Sequence, residues 1–436
     1  MGDDALRLLA KETGFSIRES KLSPEVFFDL LFFASSLSHN SSLEHLVSHL
    51  ESSHGIEIRK QSLDERFTEK TVCFVKAVLS RLIQAQFSDM LISDNFLTDF
   101  NHVRIKDSTT FKVPDNLAAH YGGNGGGVAG ISIQYEFDLK TGQFLDLTIT
   151  EACRNDQTDA GETSENICEN DLVLRDMGYF STSVLKKFDD KKAFFLSRLP
   201  SSVSVYDEDD VVIDFKKIGV FMSENGIEIM EKQVWIGESR LPVRLMIGLV
   251  PPQVYQQRVR RKRNEEKKRG RKTKEKTIQL LHFNLFITNA DAEKLPLDKI
   301  MPLYRFRWQV ELQFKNWKSL FSIHKMQKMK EARYITMLYT RLILIVVNLQ
   351  IINRVQSLMS KQTNWPDAVL SYTKTLNTLR TKFSDILSML RDSLQKAVKI
   401  LWKLYDTLRK NHWRERRNKR ENFIENIYLF ICTSEK

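Results

Sequence analysis

The chain has 436 residues, 42% of them hydrophobic, with 27 Phe and six Trp. That is enough to bury a large core, so global disorder is excluded and two or three domains are expected. Its net charge of +11 is concentrated: residues 258–276 carry +9 and residues 402–420 carry +6, leaving −4 for the rest. Two basic patches on an otherwise mildly acidic chain are the distribution expected of a protein that grips polyanions.

Cys73, Cys153, Cys168 and Cys432 show no CxxC pairing and no histidines that complete a zinc pattern, so a reduced cytosolic chain is expected. The N-terminus, MGDDALRLLAKETG, lacks the basic-then-apolar layout of a signal peptide. Its Met-Gly start is a poor myristoylation prefix, because Leu6 stands where Ser or Thr is preferred. Residues 342–352 (LILIVVNLQII) are apolar but too short to cross a bilayer, which predicts a buried core helix and no membrane.

Residues 1–95 read as mostly helical. Ser23-Pro24 opens SPEVFFDLLFFASS with an N-cap and a Pro at the first position. A second helix starts at Ser42 and stops near Gly55; a third, from about Leu63, carries Phe67, Val72, Phe74, Val75, Val78 and Leu82. The set suits either a helix-turn-helix-like DNA-binding head or a plain helical bundle. From residue 101 the period changes to that of strands: HVRIKDSTTF, GISIQYEFD and QFLDLTITEA, with a TGQ turn between the last two. The Gly-rich stretch 122–130 lacks the Gly-Lys-Ser/Thr of a P-loop and reads as a flexible loop or a close approach to a DNA backbone. A polar segment with helical potential at 157–170 precedes the strand LVLRDMGYF, the helix STSVLKKF and the strand KAFFLSRL. Three meandering strands followed by alternating helix and strand give the order of the ribonuclease H fold.

Residues 200–255 are again strand-rich (VSVYDEDDVVIDF, IEIMEKQVWIG, LPVRLMIGLV), with YDEDD as a turn. The basic run 258–276 reads as a solvated helix, a loop or a DNA contact, and TIQLLHFNLFITN as one more strand. Residues 325–436 are helical. The expected organisation is α/β: a helical N-terminal DNA-binding domain (1–95), a ribonuclease H-like core in two parts (96–199 and 281–355), a β-rich insertion between them (200–280) and a helical C-terminal region (356–436).

The segment YRFRWQVELQFKNWK sets Tyr304, Arg307, Glu311 and Lys318 at −7, −4, 0 and +7. On a helix these fall within an arc of roughly 60°. Beside them Leu303, Phe306, Val310, Phe314, Trp317 and Phe321 form an apolar stripe. An acid thus stands among three groups suited to phosphate: a planar bidentate fork, a point charge and a hydroxyl donor. Metal-dependent phosphoryl transfer needs hard oxygen ligands from distant parts of the chain, around two cations roughly 3.5–4 Å apart. Asp107 in RIKDSTTF and Asp176, before Met177-Gly178-Tyr179, are the acids at strand ends. Lys315 shares the Glu311 face; His120, His282 and His324 read as structural or surface residues.

The Y-x2-R-x3-E-x6-K spacing, the DST at the first acid and the D-x-G-Y-F at the second resemble the DDE transposases of bacterial insertion sequences, and within them the insertion-sequence-four family. The likeness runs over roughly residues 23–355, with Asp176 and Glu311 set 135 positions apart to leave room for the inserted strands. The resemblance implies that Asp107, Asp176 and Glu311 bind two Mg²⁺ ions, with Mn²⁺ as a substitute. It also implies that Tyr304, Arg307 and Lys318 contact DNA phosphates near a cleaved transposon end. Its implied partners are double-stranded DNA, as inverted-repeat ends and target, and a second copy in a synaptic homodimer. The implied setting is the bacterial cytoplasm at the nucleoid, and the implied reaction is cut-and-paste transposition through hairpin ends. Phe283 is a candidate aromatic beside a flipped base. The competing readings are a catalytically inactive or domesticated DNA-binding protein on the same fold, and a ribonuclease H-like nuclease without strand transfer.

Overall fold

A computed structural model describes residues 2–16, 21–36, 42–85, 96–123, 128–270, 272–362 and 370–412. In chain order, helices α1 (Asp3–Glu12), α2 (Pro24–Ser36), α3 (Leu43–His54), α4 (Lys60–Asp64) and α5 (Glu69–Gln84) precede strands β1 (Val103–Lys112), β2 (Gly130–Asp138) and β3 (Phe144–Glu151). Then come α6 (Asp156–Thr163), β4 (Leu172–Arg175), α7 (Thr182–Asp190), β5 (Phe194–Arg198), β6 (Val205–Tyr206), α8 (Phe215–Glu224), β7 (Ile229–Ile236) and β8 (Leu241–Leu249). The remainder is α9 (Pro252–Arg269), α10 (Glu275–Gln279), β9 (Phe283–Thr288), α11 (Leu297–Leu320), α12 (Glu331–Gln362), α13 (Tyr372–Thr381), α14 (Phe383–Arg391) and α15 (Leu394–Asn411). The chain divides into two compact units, and two of the four divisions fall inside β1 and α11. One unit holds Met1–Ser93, Ser108–Cys153 and Gln309–Lys436; the other holds Asp94–Asp107 and Arg154–Trp308.

The first unit is built on α12. Every residue from 334 to 349 is buried, and α2 and α5 pack along it. A helix apolar on all sides has to be covered on all sides. The apolar run is longer than the 342–352 read from the sequence: Glu331–Met359 has the length and composition of a membrane span, yet 94% of its most apolar window is buried inside the protein. The expectation of a core helix therefore holds, while its length was underestimated. The expected start of α2 is also found: the Ser23 carbonyl accepts from the Phe27 amide at 2.9 Å, with Pro24 in the first turn. The third expected helix is split. Thr68 and Thr71 form a reciprocal cap, so α5 begins afresh at Glu69 after the short α4. In the same unit β2 and β3 pair antiparallel, from Ile131↔Glu151 to Phe137↔Phe144, around the expected turn at Gly142 (φ 67°). Every residue of β2 is buried. Tyr135 on this strand meets Trp317 of α11 at 4.9 Å, and Trp317 meets Phe314 edge-on at 5.3 Å. The strand order here is β3-β2-β1.

In the second unit the order is β1-β4-β5-β9-β8-β7-β6. The first part of β1 runs parallel to β4 (Val103↔Leu172 to Lys106↔Arg175), and β4 runs parallel to β5 through α7. From β5 onward the pairs are antiparallel. The residues 200–280, expected as an insertion, thus supply β6, β7 and β8 to the sheet that also holds β5 and β9. The core of this unit is a continuous apolar cluster that includes Val173, Phe195, Val234, Val243, Leu245, Ile247, Leu285 and Ile287.

Two expected strands are shorter than read. In VSVYDEDDVVIDF only Val205–Tyr206 is strand, because the Asp207 carboxylate accepts from the amides of Asp209 and Val211 and closes the YDEDD turn. The following FKKIGVFMSE, unassigned from sequence, is α8, capped by Asp214 accepting from the amides of Lys216 and Lys217. In TIQLLHFNLFITN the chain stays helical to His282, and β9 begins at Phe283. Phe283 is buried in the core, which removes it as an aromatic available to a DNA base.

Candidate active site

The two strand-end acids are positioned by neighbouring parallel strands. Lys106 of β1 is the register partner of Arg175 of β4. Asp107 and Asp176 are the next residues on each, and side chains alternate along strands. The aspartates therefore share one side and the two cations the other. β4 stops at Arg175 because the chain turns at Met177–Tyr179, with the Tyr179 amide donating to the Asp176 carbonyl at 3.0 Å. The glycine in that turn answers a close approach: a Cβ on Gly178 would lie 2.9 Å from Oδ2 of Asp156.

Arg307 of α11 answers both carboxylates. Its Nη1 is 2.9 Å from Asp107 Oδ2 and its Nη2 is 3.5 Å from Asp176 Oδ1. The Asp107 and Arg307 side chains are 14% exposed and that of Asp176 is 44% exposed, so the pair is partly desolvated and open at the Asp176 end. Tyr304, one turn earlier, is buried against Phe286 at 5.0 Å. Its hydroxyl donates to the Arg175 carbonyl at 3.4 Å, and burial pushes its pKa up to about 12. The tyrosine thus holds the end of the strand that carries Asp176.

Glu311 follows Arg307 by one turn on α11 and is half-buried. Lys318 is half-buried too. Its Nζ donates to the carbonyl of Thr110 on β1 at 3.1 Å, and burial lowers the pKa of its ammonium. Lys315 is exposed. Among the described residues no three His, Cys, Asp or Glu side chains are gathered closely enough to hold one metal ion. What is gathered is Asp107, Asp176 and Arg307. Two carboxylates that already converge on one cationic head are hard oxygen donors suited to Mg²⁺ or Mn²⁺, so the donor set fits a divalent cation.

The polyanion patches differ in character. α9 is tied down at its start by Tyr255 stacked on His282 at 3.5 Å, and by Arg258 donating to the carbonyls of Leu281 and Phe283. Beyond those ties Arg260, Arg261, Arg263, Lys267 and Lys268 are exposed. In the second patch Lys403 and Arg409 of α15 lie near Asp385 and Asp406 at 3.6 and 3.8 Å; residues 413–420 are outside the described residues. So are 124–127 of the Gly-rich stretch. Gly130 at its end serves close packing, since a Cβ there would lie 2.8 Å from the Ala152 Cβ. His120 pairs with Glu331 at 3.1 Å on the surface, and His282 stacks as described.

Two features were passed over in the sequence. Trp308, beside Arg307, is 60% exposed, which is unusual for so large an apolar ring and readable only as a tryptophan out of phase with the apolar stripe. Lys106 is fully buried and ion-paired with Asp159 of α6 at 2.8 Å; its signal was a lysine at an inward position of a strand directly before an acid.

Fold and site together define an α/β protein with paired carboxylates at adjacent parallel strand ends and a helix-borne guanidinium between them. The transposase DDE domain family matches residues 99–348. The chain is 31% identical to the transposase for insertion sequence element IS231B of Bacillus thuringiensis subsp. berliner, over 96% of this chain and 91% of that protein. It is 30% identical to the transposase of element IS231C of the same organism, with the same coverage. It is 26% identical to the transposase for element IS1151 of Clostridium perfringens, over 79% of this chain and 77% of that one. The chain belongs to the DDE transposases of insertion sequences.

Proposed function

We propose that this transposase binds the terminal inverted repeats of its element as a homodimer and moves the element by cut-and-paste, cleaving DNA and joining the freed ends to a target. The observation that carries this reading is the single guanidinium of Arg307 shared by Asp107 and Asp176. Arg307 precedes Glu311 by four residues in the chain. The strand orders β3-β2-β1 and β1-β4-β5, with β2 and β3 antiparallel and β1, β4 and β5 parallel, support a ribonuclease H-like core of the insertion-sequence-four kind. In this reading 1–95 is the DNA-binding head, 356–436 is the helical C-terminal region, and the protein works in the cytoplasm at the nucleoid.

Asp107, Asp176 and Glu311 would hold two Mg²⁺ ions, or Mn²⁺ in their place. When bound, these cations supply charge that offsets the developing negative charge of the phosphoryl group. The residues of the chain do the rest. Arg307, a planar two-pronged donor, is exchanged from the carboxylates to a DNA phosphate and fixes its orientation. Tyr304 keeps the end of β4 in place from behind. Lys318 keeps its ammonium at the carbonyl of Thr110, three residues along β1 from Asp107, and extends the positive field toward the same DNA strand. The exposed basic residues of α9 neutralise phosphates further away.

Incubation with DNA carrying the matching inverted repeats and Mg²⁺ tests the reading. Cleavage at the repeat ends is expected from the wild type and lost in Asp107→Asn and in Glu311→Gln, with end binding kept within about several-fold, because binding rests mainly on phosphate contacts elsewhere. Wild-type cleavage that persists in either variant refutes the assignment of the acids. End binding without cleavage under any divalent cation favours the inactive DNA-binding protein.

A further inference from the structure

We infer that α6 sets the spacing of Asp107 and Asp176, and that Lys106 and Asp159 are positioning residues acting through a buried ion pair. The inference rests on the reading of those two aspartates as cation ligands.

The register pair Lys106↔Arg175 lies one residue before the two acids, and both members turn to the side opposite them. Both are gripped by the same short helix. Lys106 Nζ is 2.8 Å from Asp159 Oδ2, with the lysine fully buried and the aspartate nearly so. Arg175 is also buried, and its guanidinium donates to the Ala160 carbonyl at 3.4 Å and to Thr163 Oγ1 at 3.3 Å. The start of α6 holds the turn after Asp176: Gln157 Nε2 donates to the Phe180 carbonyl at 3.1 Å, and Asp156 abuts Gly178. α6 thus touches β1 one residue before the first acid, and touches the end of β4 and the turn after it on either side of the second.

A buried ion pair is seldom more stabilising than an apolar pair of the same volume, so stability alone is a weak account of it. What an ion pair adds is register. A charge pair at 2.8 Å is sensitive to the offset between strand and helix, whereas an apolar contact tolerates a slide along the helix. Asp159 also neutralises Lys106 next to Asp107, so the lysine does not compete as a bare charge with a cation on the other side of the strand. Together the contacts of α6 fix how far apart the two carboxylates stand, and Arg307 spans that gap from the open side.

The test uses the full chain with Lys106→Met/Asp159→Leu, which removes both charges of the ion pair together. Thermal melting, Mn²⁺ binding by electron paramagnetic resonance of the free ion, and inverted-repeat cleavage are compared with the wild type and with Asp107→Asn. The double variant is expected to melt like the wild type yet bind Mn²⁺ about tenfold or more weakly, as loss of outer-sphere support does, and to cleave correspondingly slowly. Mn²⁺ affinity within about twofold of wild type in a well-folded double variant overturns the positioning role while leaving the ligand reading intact. Unchanged Mn²⁺ affinity in Asp107→Asn refutes the ligand reading itself. If the double variant does not fold, Asp159→Asn decides, because it keeps the shape of the side chain and removes only its charge. A several-fold loss of Mn²⁺ affinity is then expected, and unchanged affinity overturns the inference.

Discussion

Arg307 was expected at a DNA phosphate. Its position on the polar face followed from helical spacing, and its guanidinium lies against the two acids of neighbouring strands. Arg307→Ala leaves those like charges facing each other. The expected outcome is cleavage reduced by about 100-fold or more, as for loss of one preorganised charge donor, with Mn²⁺ binding kept or tightened. Equal losses of Mn²⁺ binding and cleavage would contradict the division of roles. Tyr304 differs more from its reading, since its hydroxyl is spent on the Arg175 carbonyl. Tyr304→Phe is therefore expected to cost about 0.5–1.5 kcal/mol of stability, at the low end for a bond of 3.4 Å, and to keep most of the cleavage activity. A large activity loss at unchanged stability would instead restore a direct phosphate contact.

At the scale of elements, α2 was legible where an apolar run and a cap coincided, and α11 from its apolar stripe alone. Strands were legible where alternation was strong, as in β2, β7 and β8. In the segment 203–215 the failure has one cause: side-chain competition for backbone groups. Asp207 closes a turn and Asp214 caps a helix inside what reads as one strand. α11 begins at Leu297, with Pro302 inside it, where the sequence reading began only near residue 303. α9 carries the element-scale prediction. Its exposed Arg260, Arg261 and Arg263 make no part of the core. Replacing the three with alanine is expected to leave melting unchanged, to weaken DNA binding uniformly across sequences, and to flatten the salt dependence by about 0.9 in log K per log salt for each phosphate that is no longer neutralised. An unchanged slope would mean that α9 is only a solvated helix.

For the whole molecule, burial of tyrosines ties stability to alkaline pH. Burial pushes Tyr121, Tyr304, Tyr334 and Tyr339 up to about 12. A folded-state pKa raised above the unfolded value of about 10 adds stability that is fully present below pH ~10 and is lost as pH rises toward 12. The urea midpoint is thus expected to fall above pH ~10 on account of these groups, with their tyrosinate absorbance appearing only together with unfolding. Full tyrosine ionisation in a still-folded protein near pH ~10 would contradict this.

By itself the sequence determined the phases of the candidate residues. Asp107 and Asp176 at strand ends, and Tyr304, Arg307, Glu311 and Lys318 on one helix, were legible as positions because strand and helix periods are local properties of the backbone. It also determined that α12 is a core helix and that positive charge is gathered in patches. Only the tertiary structure decided what these groups meet. Register between β1 and β4 sets Asp107 beside Asp176, packing turns the Tyr304 hydroxyl to Arg175, and α6 reaches Lys106 from more than fifty residues along the chain. Such contacts depend on which distant segments pair and at what offset, and no periodicity within one segment encodes that.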